Sequence, residues 1–411
     1  MTDIVIVGAG VAGLAAARAL AATGLSVIVL EASARIGGRA HSVHPSALGG
    51  ALWDRGASWL HAAQRNPFVP LAHAAGIPLA DFDGQGEWRV LVGDRDATAA
   101  EVAASHATEA RYAGVVAAAL ADGGDRAMAD AAATLDGDPW LATVETFECR
   151  MIAAADPRRL SARDWLDNEL DGANLVPGPG VGGLVARVLD HAVRLNTPVT
   201  GVAVTRDGVE VATAAGPLRA RAAIVTVSTG VLPRLNLPLP PAHAAALAAL
   251  PMGLLTKVAL PDPAGARFGL PPGGGLHRRV ERRHAPAMFF LGDPAGSSHV
   301  VGFVGGDTAE TLAAMGEAAT ADFARSGLRA LLGNAVSPGT ALVADWSADP
   351  WARGAYAYAL PGHAAARARL AEPFADGRIV YAGEAVATDG LAGTVAGAYN
   401  SGVAAARLFA R

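Results

Sequence analysis

The sequence contains little cysteine and almost no lysine. Cys149 is the only cysteine, which excludes a disulfide within the chain and fits a reducing compartment, so we expect a cytoplasmic protein. Of 33 basic residues, 32 are arginine and one, Lys257, is lysine. An ammonium is compact and strongly hydrated, and its pKa shifts readily on burial, whereas a guanidinium has none of these properties. A single lysine among so many arginines therefore suggests a specific chemical task for Lys257.

Long apolar runs are also lacking. Hydrophobic residues make up 52% of the chain and charged residues only 17%, yet the apolar character comes from alanine spread through helical stretches. No stretch approaches the roughly 18–20 apolar residues of a membrane-spanning helix, and no basic leader precedes the first predicted strand. The net charge of -5 is mild evidence against a nucleic acid partner. We expect no membrane span, no signal peptide and no nucleic acid partner, and the sequence predicts no oligomeric state.

The chain is long enough for two domains of moderate size, and it opens with a strand–helix–strand pattern. Residues 4–7 and 25–30 are predicted strands. Between them, Val11–Ala22 is a predicted helix, with Gly24 as its C-cap. This order predicts a parallel pair of strands joined by a crossover helix.

The turn between the first strand and the helix carries a nucleotide-binding pattern. Residues 8–13 (GAGVAG, with Ala12 before the last glycine) fit G-x-G-x-x-G in the required context. We expect Gly8 to allow the tight turn, Gly10 to let backbone approach a pyrophosphate, and Gly13 to allow close packing of helix on strand. Glu31, which ends the second strand, is expected to accept hydrogen bonds from ribose hydroxyls.

The rest of the chain mixes helical and strand patterns. The predicted elements are two helices over 97–133 broken near 122–124, a loop over 178–183, a β-meander over 199–227, strands at 256–260 and 287–291, one or two helices over 308–332, a strand at 378–382 and a final helix over 393–409. We find no internal repeats. The pattern predicts an α/β fold.

The segment after the second strand distinguishes FAD from NAD. Residues 31–39 (EASARIGGR, with Ala32 following Glu31) resemble the extension E-x-x-x-R-x-G-G-R found in FAD-dependent amine oxidases. The resemblance implies that Gly38 brings backbone close to the cofactor and that Arg39 contacts it.

Four further stretches carry the same resemblance, which therefore spans nearly the whole chain. They are residues 54–61 (DRGASWLH) with 66–67 (NP), residues 198–199 (PV), residues 252–258 (MGLLTKV), and a group made of 345–346, 354–356, 382–384, 393–398 and 401–402. The first is most similar to the polyamine oxidase branch, although Ala62 replaces the glycine that usually follows the histidine. The resemblance implies a Rossmann-type FAD-binding domain (1–80, 186–254 and 371–411) interleaved with an α+β substrate domain (81–185 and 255–370).

The resemblance also implies catalytic roles for five residues. Lys257 would bond a water that in turn bonds flavin N5, the atom that receives a hydride from the amine. Tyr356 would form one wall of an aromatic cage around the amine, and Thr394, at the second wall, would leave space for a larger substrate. Trp346 would pack near the flavin ring or in the core. His61 would bond the substrate nitrogen, act as a base near neutral pH, or serve only the structure.

Most of the implied cofactor contacts lie in the motifs above. They are Gly8, Gly10, Ala12, Gly13, Glu31, Ala32, Gly38, Arg39, Gly56, Ala57, Ser58, Trp59, Val199, Gly383, Glu384, Thr394 and Val395. Val199 would contact adenine through its backbone, Glu384 would bond the ribityl or pyrophosphate region, and the last helix would point its positive end at the flavin N1–C2=O edge. Ala355 stands where some relatives bind flavin covalently through cysteine, so the FAD is expected to be noncovalent. No metal is predicted.

The expected function is oxidation of a polyamine or other primary or secondary amine to an imine, with O2 as acceptor and hydrogen peroxide as product. A desaturase or protoporphyrinogen-type oxidase, an amino-acid oxidase and a flavin-binding protein without turnover remain alternatives. The lysine strand and the DRGASWLH motif argue against the first, and the 32 arginines leave the second open. A polyamine would require acidic residues in the substrate tunnel, and Asp81, Asp83 and Glu87 are the nearby candidates.

Overall fold

The computed structural model describes residues 1–83 and 86–410. The strands in chain order are β1 (Thr2–Val7), β2 (Val27–Leu30), β3 (Ser42–Val43), β4 (Trp53–Asp54), β5 (Leu79–Asp81), β6 (Trp88–Val92), β7 (Arg95–Asp96), β8 (Leu175–Pro177), β9 (Val193–Arg194), β10 (Val199–Thr205), β11 (Gly208–Thr213), β12 (Leu218–Val225), β13 (Leu255–Pro261), β14 (Gly275–Arg278), β15 (Phe289–Gly292), β16 (His299–Gly305), β17 (Leu342–Ala344) and β18 (Ile379–Tyr381).

The helices are described in the same way. They are α1 (Val11–Leu20), α2 (Phe68–Ala74), α3 (Ala99–Ala119), α4 (Met128–Ala131), α5 (Leu141–Glu145), α6 (Ala162–Asp167), α7 (Gly180–Val188), α8 (Pro241–Ala248), α9 (Gly306–Met315), α10 (Glu317–Leu332), α11 (Ala366–Ala371) and α12 (Val395–Arg407), with a π-helix at Thr146–Ile152 and 3₁₀ turns at Ser46–Leu48, Ala133–Leu135, Leu232–Arg234, Arg267–Gly269 and Glu384–Val386. Among the described residues, no helix combines the length and the apolarity needed to cross a membrane.

The first sheet is built around β1. Its strand order is β10-β11-β12-β1-β2-β9, and β18 pairs with the second half of β12. Strand β1 is parallel to both of its neighbours, β2 and β12, as the strand–helix–strand pattern predicts. Ile4 and Ile6 pack with α1 and α12 on one face, whereas Val5 and Val7 pack on the other. Burial of both faces explains why this strand is a continuous apolar run.

The second sheet has the order β17-β13-β16-β15-β14-β6-β7. Neighbouring strands are antiparallel except β14 and β6, which are parallel. Alternate residues of β13 face opposite sides, so Val258 and Leu260 pack under α9 and α10, while Ala259 and Lys257 face the side shared with the first sheet. The domain boundaries expected from the sequence stay a prediction.

Two local predictions are wrong. Residues 180–183, predicted as loop, are the first turn of α7, because the N–H of Gly182 donates to Ser42 Oγ (2.8 Å) and anchors a helix that three glycines would not favour by themselves. Helix α1 ends at Leu20, two residues before the predicted end, and its C-cap is Ala21 rather than Gly24. Gly24, with φ +76°, lies in the turn that leads to β2.

Candidate active site

A cavity of about 800 Å³ is lined by residues of both sheets. Val7, Leu30 and Val199 of the first sheet line it, as do Lys257 and Phe303 of the second. This volume is in the upper range of small-molecule and cofactor sites. The cavity is therefore large enough for an extended cofactor together with a substrate.

The N-terminus of α1 points free backbone N–H groups toward open space in this cavity. No side chain among the described residues caps this helix, so its first N–H groups and its positive dipole end are available to an anion. A Cβ added to Gly10 would meet no atom within 4 Å, whereas a Cβ on Gly13 would lie 2.0 Å from Gly8 O. Gly10 therefore borders space for a ligand, and Gly13 allows the helix to pack closely on the turn.

Glu31 lies at the end of β2 and lines the cavity. Its Oε2 accepts from the N–H of Ala9 (2.8 Å), and its Oε1 accepts from the N–H (2.9 Å) and hydroxyl (2.8 Å) of Ser33. These bonds hold the carboxylate at the edge of the turn.

Arg39 and Glu384 form an ion pair that joins distant parts of the chain. Arg39 Nη1 donates to Glu384 Oε1 (2.9 Å) and to the backbone oxygen of Ala355 (2.7 Å). Glu384 also accepts from the N–H of Ala357 at 3.2 Å. Charge-assisted bonds of this kind are strong when buried, so the pair positions the segment that carries Tyr356.

Lys257 is buried on β13 with all three of its N–H donors used. Nζ donates to the backbone oxygens of Gly56 (2.5 Å) and Asp54 (3.3 Å) and to Ser58 Oγ (2.6 Å). Burial lowers the pKa of Lys257 from 10.5 to about 8, and the Asp54 carboxylate opposes part of this change. The ammonium therefore loses its proton much closer to neutral pH than an exposed lysine does.

His61 is held by a chain of hydrogen bonds that determines its tautomer. The amide N–H of Asn174 donates to Asp83 Oδ1 (3.0 Å), so the Asn174 oxygen faces His61 Nδ1 at 2.6 Å. Since that oxygen can only accept, Nδ1 carries the hydrogen and Nε2 is left as an acceptor. Burial lowers the pKa of His61, which favours this neutral form.

Tyr356, Thr394 and Trp346 line the same cavity. The Tyr356 hydroxyl donates to Met151 O (2.9 Å), which orients the ring. Thr394 is the N-cap of α12, because its Oγ1 accepts from the N–H of Gly397 (3.0 Å). Trp346 Nε1 donates to Arg55 O (3.1 Å), so this ring has a structural bond in addition to its place in the cavity wall.

The π-helix supplies one stretch of the cavity wall. Four of its residues, Phe147, Glu148, Met151 and Ile152, line the cavity. Turns of π-helix are rare and occur often at functional sites. The sequence does not reveal this element, because a π-turn has no periodic signal that separates it from an α-helix.

Three carboxylates line this part of the cavity. They belong to Glu148, Glu109 on α3, and Glu169 after α6. Burial, together with the charges of Glu109 and Glu169, raises the pKa of Glu148 to about 7. No donor among the described residues bonds the Glu148 carboxylate. The arrangement leaves a site of negative potential that a cation would satisfy.

The sequence-predicted residues are brought together almost completely. Those that line the large cavity are Gly8, Gly10, Ala12, Glu31, Ala32, Gly38, Arg39, Gly56, Ala57, Ser58, Trp59, His61, Val199, Lys257, Trp346, Tyr356, Gly383, Glu384, Thr394 and Val395. Gly13 is the exception and packs against Gly8 instead. Their roles stay predictions.

The acidic residues proposed from the sequence do not line the cavity. Asp83 bonds Asn174, Glu87 is exposed, and Asp81 lies on β5. Glu109, Glu148 and Glu169 line it in their place. They lie 22–82 residues further along the chain than Glu87, and no local motif marked them.

Comparison with known proteins identifies related sequences over almost the full chain. The family model described as flavin containing amine oxidoreductase matches residues 11–409. Polyamine oxidase 4 of Oryza sativa subsp. japonica is 30% identical, over 98% of this chain and 88% of the relative. The L-amino acid dehydrogenase of Synechocystis sp. is 28% identical, over 98% of this chain and 94% of the relative.

Solved structures have the same fold. A double mutant of putrescine oxidase superposes with a TM-score of 0.81 at 22% identity, covering 100% of this chain and 99% of the other. At this level of identity the likeness concerns the fold. It confirms the α/β fold that the sequence predicts.

Proposed function

The chain belongs to the flavin-containing amine oxidoreductase family, and from that premise we propose that its substrate is an amine with a second positive charge, a diamine or polyamine. It is an FAD-dependent enzyme that oxidises amines. The observation that carries the substrate proposal is the unpartnered Glu148 carboxylate, which lines the same cavity as Lys257 and Tyr356 and lies beside two further carboxylates.

The residues of the large cavity fit FAD. The uncapped N-terminus of α1 and the open space above Gly10 would accept the pyrophosphate, and Glu31 would accept from the ribose hydroxyls. The N-terminus of α12, at Val395, would place its positive end near the flavin ring. Cys149 is buried against Tyr112, and it does not line the cavity, which supports noncovalent binding.

When bound, FAD accepts the two electrons and the α-hydrogen that the amine loses, and O2 restores it with release of hydrogen peroxide. The protein must present the reacting nitrogen without a proton, because an ammonium has no lone pair. Apolar and aromatic walls, among them Phe303 and Tyr356, disfavour the charged form of an amine. His61 Nε2 would accept the hydrogen of the reacting nitrogen, and its bond to Asn174 keeps that atom free to do so.

Lys257 would hold a proton close to the flavin ring. Its bonds to Gly56 and Ser58 keep Nζ at the cavity wall, and its lowered pKa allows the proton to be given and regained near neutral pH.

The distal charge of the substrate would lie at Glu148. An ammonium bonded to Glu148 would offset the repulsion that Glu109 and Glu169 exert on the charged carboxylate. The neutral end of the amine would lie among apolar walls. The cavity would thus favour a neutral nitrogen at the reacting end of the substrate and a charged nitrogen at its distal end. We further propose a cytoplasmic location, which the single cysteine supports.

Anaerobic mixing with matched amines tests the substrate proposal. We expect 1,4-diaminobutane and longer polyamines to bleach the flavin at concentrations about 10–100-fold lower than butylamine, because a hydrogen bond to a charged group contributes roughly 1.5–3 kcal/mol. Admission of air should restore the colour and release hydrogen peroxide. Bleaching by amino acids in preference to diamines would favour an amino-acid oxidase, and bleaching by no amine would favour carbon–carbon oxidation.

Glu148→Gln is the control for this experiment. Above a pH of about 7 the wild-type carboxylate is charged, and below it the carboxyl is neutral, so the preference for diamines should increase as the pH rises through that value. The variant should oxidise butylamine as before and lose both the preference and its pH dependence. A variant that still prefers diamines would contradict the assignment.

A further inference from the structure

A second, smaller cavity, of about 40 Å³, also borders Lys257. It shares Lys257, Ser58 and Trp59 with the large cavity. Its wall continues past the half-buried Asp54 and the buried Asp293 to Ala295, which is exposed on the loop between β15 and β16. The cavity therefore leads from the buried ammonium toward the protein surface.

The wall of the small cavity has polar groups that call for water. Trp53 is 5% exposed, and its indole N–H, like that of Trp59, has no acceptor among the described residues. Both rings line the cavity, as does the carboxylate residue Asp293. A space above roughly 10–15 Å³ holds a water when two to four polar groups surround it. Size and polarity both meet this condition.

We propose that the small cavity is a water-filled path by which Lys257 exchanges protons with solvent, with Asp293 as the relay at its outer end. The ammonium gives one proton to the Ser58 hydroxyl oxygen, which it bonds at 2.6 Å, and Ser58 releases its own hydroxyl proton to a cavity water. That water passes one proton to the Asp293 carboxylate or to solvent, which leaves a neutral amine, and the reverse sequence returns one proton from solvent. Asp293 acts here as a positioning and relay residue, because it reaches Lys257 only through water and Ser58.

The surroundings of Lys257 make such a path necessary. The charged or titratable groups that face it are Asp54, His61 and, across the small cavity, Asp293, while the rings of Trp59 and Phe303 lie 5.3 and 5.6 Å from Nζ. Bound cofactor and substrate would fill the large cavity and close it to solvent. That need for a second path rests on the proposed function, but the path itself does not.

The single lysine makes the test direct. Protein grown with ¹⁵N-lysine carries one labelled side chain, so the hydrogen exchange of the Lys257 ammonium with water can be measured by NMR on the FAD-bound protein below neutral pH, without turnover. We expect Val301→Ile, which places a methyl group in the small cavity, and Asp293→Asn, which keeps the shape, each to slow exchange about tenfold. Val300→Ile, on the opposite face of β16, should leave it unchanged.

The result decides between the two cavities. Unchanged exchange in both Val301→Ile and Asp293→Asn would overturn the proposal, as would loss of wild-type exchange when an unreactive amine fills the large cavity. If one variant fails to fold, the other still decides. Exchange is measured without oxidation, so its outcome is independent of the substrate test. The variants can slow exchange even if no diamine bleaches the flavin, and they can leave exchange unchanged even if diamines do bleach it.

Discussion

At Lys257, three N–H donors meet three oxygen acceptors in a buried setting, and this explains why arginine could not replace it. A planar guanidinium could not bond Asp54 O, Gly56 O and Ser58 Oγ from one nitrogen. Arginine also keeps its proton at all relevant pH values. The one lysine of the chain thus stands where a compact group that releases its proton is required.

Replacement of this lysine separates cofactor binding from chemistry. We expect Lys257→Met to bind FAD and to be about a hundredfold slower in flavin reduction or in reoxidation, a typical effect of losing a positioned proton donor. Stopped-flow absorbance measures the two steps separately. Lys257→Arg, which keeps the charge, should not restore the rate, and wild-type rates in Lys257→Met would remove this residue from the mechanism.

The other residue-scale feature is the half-buried carboxylate of Glu148, which has no hydrogen-bond donor among the described residues. Burial of Glu148 disfavours its charged form, and the two nearby carboxylates add to the cost. Carboxylates with strongly perturbed pKa values are concentrated at functional sites. In this chain the compensation proposed is the distal ammonium of the substrate.

At the scale of elements, α1 and the turn before it combine two requirements that different glycines meet. Gly10 borders open space and has φ -71°, which alanine adopts readily, whereas a Cβ on Gly13 would collide with Gly8 O. Gly10 thus leaves space for the ligand, and Gly13 allows close packing of the helix.

The two positions should therefore respond differently to alanine. We expect Gly10→Ala to keep the melting temperature of the cofactor-free protein and to weaken FAD binding at least about tenfold, since its methyl group occupies the pyrophosphate approach. Gly13→Ala should lower both the melting temperature and the affinity for FAD. Calorimetry and FAD titration measure them.

The matched control lies on another helix. Gly114→Ala, at an exposed position of α3 with no atom near the added Cβ, should stabilise the protein by up to about 1 kcal/mol and leave FAD binding unchanged. Wild-type FAD affinity in Gly10→Ala would contradict this account.

At the scale of the whole molecule, a buried ion pair connects the helical part of the substrate region to the segment beside Glu384. Arg367 on α11 donates to both carboxylate oxygens of Asp164 on α6, at 2.5 and 2.7 Å, and to the backbone oxygens of Ala357 and Ala385. The N–H of Ala359 donates to the same carboxylate. The pair thus secures the strand-like segment on both sides of Tyr358.

Loss of one partner should destabilise the whole molecule. Arg367→Met leaves the Asp164 carboxylate charged and buried without its cation, which typically costs about 3–5 kcal/mol. Denaturant unfolding monitored by circular dichroism measures this loss. Adding Asp164→Asn should recover part of it, and a single variant as stable as the wild type would show that the pair is dispensable.

The sequence by itself determined the cofactor side of this protein, because that side is local. A strand, a glycine-rich turn, a helix start and Glu31 lie within one short segment, and the backbone geometry of that segment creates the anion site. The lone lysine could also be recognised without the fold, because the composition alone marks it. The family followed from motifs of this kind.

Only the tertiary structure decided the substrate side. Glu109 lies on α3, Glu148 on the π-helix and Glu169 in the segment after α6. Asn174 reaches His61 from more than a hundred residues away. Neither a periodicity nor a motif joins such residues, because their proximity arises from packing between elements that are remote in the chain. The surroundings of the Glu148 carboxylate and the small cavity beside Lys257 form only when those elements pack together.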